Sequence, residues 1–308
     1  MKKIILLAVT IFFSHGFTAH GENATETRVY SEKGADTCIK CHDEDNTYPI
    51  FPIFKSKHGQ RQDPRSPMAQ LQCETCHGPL GQHNKSPKTG EKRPAMIGFG
   101  TKFRHNIEQQ NKQCLQCHQH ESRIHWEGSA HASAALSCSF CHTIHAEQDP
   151  VLDRQQQTSV CGRCHNKQRA EFNKTSAHPL RQGKMACHQC HEAHGSFNEK
   201  SLKQNKNELC LSCHGEKRGP FLWSHPPAME DCGLCHEAHG SIHGDLLKKR
   251  APLLCQQCHA IAGHPSIAYT GNNLSGANPS AFLLGKSCLN CHSQIHGSNH
   301  PSGVKLIR

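Results

Sequence analysis

Ten copies of Cys-x-x-Cys-His run through this chain, and together they use every one of its 20 cysteines. The first five are Cys38, Cys41 and His42; Cys73, Cys76 and His77; Cys114, Cys117 and His118; Cys138, Cys141 and His142; and Cys161, Cys164 and His165. The second five are Cys187, Cys190 and His191; Cys210, Cys213 and His214; Cys232, Cys235 and His236; Cys255, Cys258 and His259; and Cys288, Cys291 and His292. Chance at this composition would supply about 0.1 copy. Two cysteines three apart stand on one side of a turn, where both sulfurs reach the vinyl groups of one porphyrin. The histidine that follows then turns its ring to the iron as the proximal ligand. This is the attachment signature of haem c. A disulfide framework has no use for a histidine after every second cysteine. Zinc pairs need none in that place, and zinc arrays are uncommon in exported chains. The motifs predict ten covalently attached haems.

The composition needs such a load. Hydrophobic residues make up 35% of the 308, and setting aside the 20 cysteines leaves about 29%. With a mean hydropathy of −0.68, the polypeptide alone would stay unfolded. The haems are expected to supply the core. Helix-sized patterns are short and broken by Gly, Pro and the motifs. The fold class predicted is a multihaem cytochrome c: short α-helices and irregular loops around a line of ten haems, with almost no β-sheet.

Residues 1–21 read as a secretory signal peptide. Lys2 and Lys3 form the basic start, Ile4 to Phe13 the apolar run, and Ala19-His20-Gly21 the cleavage site. The run is too short for a membrane anchor. The mature chain, 22–308, is therefore expected to be exported, one decahaem domain with no span of its own.

Beyond the proximal ligands, each motif is followed by at least one further histidine, which gives one candidate distal ligand per haem. These candidate distal ligands are His58, His83, His131, His145, His178, His194, His225, His239, His264 and His296. Odd motifs are followed at a distance, often by a His-Pro pair such as His178-Pro179, His225-Pro226 and His264-Pro265. Even motifs from the fourth on are followed almost at once, and CHEAHGS recurs unchanged at 190–196 and 235–241. The chain reads as five two-haem modules with longer loops at 43–72, 78–113 and 265–287. Three residues of backbone, pinned by two thioethers, hardly wrap around a porphyrin. His145, His194 and His239 are therefore expected to serve a neighbouring haem rather than their own.

Six histidines are left without a role: His105, His120, His125, His188, His243 and His300. Of these, His300, in a second His-Pro pair, is the strongest competitor for a distal place. Met68 and Met185 precede motifs two and six, and with histidine in surplus they read as packing residues.

The formal charge of +10 invites a nucleic-acid reading. Without Lys2 and Lys3 the chain keeps 33 basic against 25 acidic residues, or +8, and the twenty propionates of ten haems bring the reduced assembly to −12. The basic residues offset propionates rather than bind phosphate. With 2 Trp and 3 Tyr there is no stacking surface for bases either.

Four strings go beyond haem motifs: LQCETCHGPLGQHN at 71–84, EKRGPFLWSHPP at 216–227, RAPLLCQQCHA at 250–260 and SCLNCHSQIHGSNHPSG at 287–303. In these the chain resembles the MtrA/DmsE-type periplasmic decahaem cytochromes of porin–cytochrome conduits, over essentially the whole mature length. The resemblance implies ten bis-histidine haems in a line of two pentahaem halves, about 22–170 and 171–308. It implies a place in the periplasm at the outer membrane, inside a porin-like β-barrel partner. A periplasmic or inner-membrane cytochrome would donate electrons near motif one. An extracellular multihaem cytochrome or reductase would accept them near motif ten. His105 and His243 have no counterpart in that pattern.

The competing readings are a free periplasmic shuttle and a multihaem reductase. A reductase needs an iron with an open position, marked by a Lys-ended motif or a missing distal ligand. All ten motifs end in His, and distal candidates are in excess. Electron transfer without catalysis is the expectation.

Overall fold

The computed structural model describes residues 29–103, 105–259 and 287–307. The signal peptide and the distal candidate His264 lie outside the described residues. Among those described there is no β-strand, only four isolated bridges. The longest helix is Ile107–Leu115, nine residues, begun where the Asn106 side chain accepts a hydrogen bond from the Gln109 amide at 2.7 Å. No described helix is long and apolar enough to cross a membrane.

The motifs themselves nucleate the helical turns. In nearly every copy the histidine amide donates to the carbonyl of the first cysteine, as from His142 to Cys138 and from His191 to Cys187, both at 2.9 Å. That bond closes one α-turn, which puts residues i, i+3 and i+4 on one face. Odd and even motifs use the turn differently. The first cysteine of an odd motif ends or nearly ends a helix, as in Ala35–Cys38, Ile107–Leu115, Gln157–Cys161, Lys206–Leu211 and Ala251–Cys255. In even motifs the first cysteine opens a single turn, as in Cys73–His77, Cys138–Cys141, Cys187–Gln189, Cys232–Leu234 and Cys288–Asn290. The two-haem module of the sequence is thus also the structural repeat.

Amide side chains clip the two halves of a module together. Asn111 Oδ1 accepts from the Cys138 amide at 2.8 Å, Gln157 Oε1 from the His188 amide at 2.9 Å, and Asn207 Oδ1 from the Cys232 amide at 3.1 Å. Each clip sits on the helix of an odd motif and caps the start of the next, even one. Asn111 and Gln157 are buried, and they are buried because they are paired.

The chain's own apolar core is slight. Among the described residues the buried apolar side chains are Ala35, Met68, Leu80, Phe172, Leu180, Ala186, Leu202 and Ala251, and no large side chain is wholly enclosed. Met68 is a packing residue, as its sequence context suggested. Where segments do dock, they dock backbone to backbone. Gly240 (φ +151°) lies so close to the Glu171 carbonyl that a Cβ would meet its oxygen at 2.1 Å, and Gly195, its partner in the other CHEAHGS, meets His125 O at 2.6 Å. Only glycine fits there.

Candidate functional site

The structure sorts the histidines into pairs. His42 faces His83 with ring centres 6.3 Å apart, His77 faces His145 at 6.1 Å, and His118 faces His58 at 5.9 Å. His142 faces His194 at 6.2 Å, His165 faces His131 at 6.1 Å, and His191 faces His239 at 6.0 Å. His214 faces His178 at 6.5 Å, His236 faces His296 at 6.1 Å, and His259 faces His225 at 6.2 Å. Every pair joins a motif histidine to a distal candidate. Two metal–imidazole bonds of about 2 Å, with about 1 Å from each ligating nitrogen to its ring centre, place two axial rings about 6 Å apart. The residues present fit a bis-histidine haem.

The pairing skips a motif. The histidine after motif four joins motif two, that after six joins four, that after eight joins six, and that after ten joins eight. In the other direction the histidines after motifs one, three, five and seven join motifs three, five, seven and nine. The expected neighbour for His145, His194 and His239 is therefore the next-but-one motif in the chain. None of the remaining described histidines takes such a place. His105 accepts from the Gly98 amide, His125 packs on Phe197, His188 sits on Gln157, and His300 meets Ser302.

The cysteines give the order of the row. First cysteines meet within modules: Cys38 with Cys73, Cys114 with Cys138, Cys161 with Cys187, Cys210 with Cys232, and Cys255 with Cys288. Second cysteines interact electrostatically between modules: Cys76 with Cys117, Cys141 with Cys164, Cys190 with Cys213, and Cys235 with Cys258. Each motif inside the row thus has the motifs before and after it as neighbours. The Cys114 thiol beside it holds Cys138 below the ordinary cysteine value, and Cys161 does the same for Cys187. Among the described residues all these thiols stand outside disulfides, half-buried or exposed.

Ring orientation is set through the second ring nitrogen. His131 Nδ1 donates to Ala193 O and His178 Nδ1 to Ala238 O, both at 2.8 Å. Ala193 and Ala238 immediately precede His194 and His239, so one distal ring is anchored beside the next. Proximal rings of even motifs are held by backbone carbonyls: His77 by Ile97 at 2.6 Å, His191 by Lys200 at 3.0 Å, His236 by Asp245 and His292 by Lys305, both at 2.7 Å. His142 departs from this, since it donates to the Asp149 carboxylate at 2.7 Å. Burial would raise Asp149, but the His142 ring and the Thr143 amide hold it below its usual value. Burial also pushes His77, His145, His194, His239 and His296 below the ordinary histidine value, which favours the neutral imidazole that binds metals. These supporting acceptors escaped the sequence reading. Asp149, seven residues after His142, could have been flagged, whereas a carbonyl has no sequence signal.

Attachment turns in series, nine of them among the described residues with an imidazole pair beside them, define a multihaem c-type cytochrome. A family model for NrfB-like c-type cytochromes matches residues 73–156, and the doubled CXXCH motif matches 178–219 and 225–263. Multiheme cytochrome MtrA of Shewanella baltica is 51% identical over 91% of this chain and 83% of its own length. The chain belongs to the MtrA family of multihaem cytochromes. A more distant relative, the cytochrome c-type protein NrfB of Haemophilus influenzae, is 26% identical over 54% of this chain and 84% of its own.

Proposed function

We propose that this protein carries electrons along ten c-type haems from periplasmic donors across the outer membrane, inside a β-barrel partner, to an extracellular reductase or cytochrome. Haem supplies an iron that takes up and returns one electron with no bond made or broken. Everything else falls to the chain. Its cysteine pairs fix ten porphyrins, its motif histidines bind one face of each, and the skipping distal histidines close the other. The observation that carries the reading is the row itself: neighbouring motifs follow chain order, and nine of them are matched to a second imidazole. The distal candidate left for His292 of the tenth motif is His264, which lies outside the described residues. The pair His142 with His194 reaches across residue 170, so the two pentahaem halves, about 22–170 and 171–308, are proposed to interlock as one domain after removal of 1–21.

Ligands on both faces leave no place for substrate, which favours a carrier over a reductase. A polar, loop-rich chain enters a bilayer only within a sheath, and a closed β-barrel is the sheath with no unpaired edge. A row of ten haems outreaches the about 40–45 Å of a membrane with its headgroups, leaving ends free for donor and acceptor. Motif one is placed at the periplasmic end and motif ten at the outer end.

Intact mass of the matured protein is expected to give ten haems per chain, and fewer than nine would overturn the attachment reading. The functional test is reconstitution with a candidate barrel in liposomes holding a reduced dye, followed by an external ferric acceptor. Barrel and cytochrome together should oxidise the dye well above either alone. Equal rates would make the chain a free periplasmic shuttle.

A further inference from the structure

Among the even motifs, four proximal rings rest on backbone carbonyls and one rests on a carboxylate. Asp149 is nearly buried, with its side chain 13% exposed. Its Oδ1 accepts from the Thr143 amide at 3.1 Å and the Val151 amide at 3.3 Å, which leaves Oδ2 aimed at His142 Nδ1, 2.7 Å away. The partner ring is also next to a carboxylate, with His194 Nδ1 lying 3.4 Å from Glu192 Oε1. No other described pair has carboxylates this close to both rings. His239 has Glu171 at 3.4 Å, but its partner His191 rests on the Lys200 carbonyl.

A ring whose far nitrogen faces the iron carries its proton on Nδ1. A carboxylate draws that proton outward more strongly than a neutral carbonyl does, because a full charge sits at the acceptor. The ring becomes a stronger donor to the metal, and the ferric state gains over the ferrous. The Asp149 acceptor is held by two amides in a largely buried site, where the charge is poorly screened.

We propose that Asp149 is a positioning residue that, with Glu192, makes the haem held between His142 and His194 the lowest in potential of the nine described pairs. This rests on the ligand pairing proposed above. Electrons moving along the row then meet their steepest uphill step at the fourth motif. The wire is graded at this haem by two carboxylates rather than uniform.

The test uses the fully matured protein. Asp149→Asn keeps the shape and an acceptor but removes the charge. One haem's share of the redox titration should leave the low-potential end, with its reduced-to-oxidised ratio at fixed potential rising about tenfold, or about 59 mV for one electron. Asp149→Glu should restore most of the shift. Glu192→Gln should move the same haem in the same direction by less, and it stands alone as the test if Asp149→Asn does not accumulate. An unmoved curve with every haem still low-spin would overturn the tuning and leave the pairing intact. Amplitude drawn from the high-potential end would also overturn it. A high-spin haem in the unaltered protein would instead sink the pairing beneath it.

Discussion

A chain made without haem attachment is expected to be unfolded, and Cys235→Ala or Cys213→Ala to cut accumulation well over several-fold rather than remove one haem from an intact fold. The physical reason is the size of the apolar core. Ordering each residue costs about 1–2 kcal/mol of backbone entropy, and burial must offset it. Here the described core holds eight apolar side chains, three of them alanine, and the buried polar ones outnumber them. The longest described helix has nine residues, below the about 12–15 at which an isolated helix becomes even marginal. Cys235 also lies within electrostatic range of Cys258 across the junction between two modules, so its loss frees a turn beside the next module. Circular dichroism and limited proteolysis of the haem-free chain provide the measurement. A compact, protease-resistant apoprotein would contradict the expectation, as would a nine-haem Cys235→Ala variant recovered at the normal level.

The second large effect concerns a ligand acting far from its own motif. His194→Ala is expected to leave all haems attached and to turn one of them five-coordinate, high-spin and able to bind carbon monoxide. The unaltered protein should be six-coordinate throughout and change little with carbon monoxide. The haem opened should be the one at Cys138 and Cys141, although His194 follows the motif that ends at His191. The 6.2 Å between His142 and His194, with rings 7° from parallel, is the basis. The remaining ligand would then be His142, which leans on Asp149. The iron–histidine vibration of the His194→Ala protein should therefore shift when Asp149→Asn is added. If that vibration ignores Asp149, the opened iron is not the one bound by His142, and the skipping pairing fails.

The carbonyl and carboxylate supports explain why the second experiment could not have been designed from the chain alone. His131 and Ala193 are 62 residues apart, and His178 and Ala238 are 60 apart, yet each pair shares a hydrogen bond. The same holds for the docking of Ser176 on Ser241, which sets one copy of CHEAHGS against the segment that carries Phe172 and His178. The recurrence of CHEAHGS shows that two segments do the same job. The residues they dock against have no shared spelling: Trp126 lies against His194, and Phe172 lies against His239.

What the sequence determined by itself is what a single turn of backbone determines. Cysteines at i and i+3 and a histidine at i+4 share a face whatever surrounds them, so attachment, proximal ligation and the helix-and-loop fold class are legible at each motif. Even the exclusion of the close-following histidine from its own haem is local, since it needs only the length of three residues. The choice among other haems is different. His194 could have reached several irons on chain length alone, and a loop of that kind costs little more entropy to one than to another. The tertiary structure decided it. The amide clips of Asn111, Gln157 and Asn207 fix three of the five modules, and the glycine-tight docking at Gly195 and Gly240 fixes one module against the next. Once those backbones are in place, each described distal ring has one partner within reach, two motifs away in eight pairs and one motif away for His83 with His42.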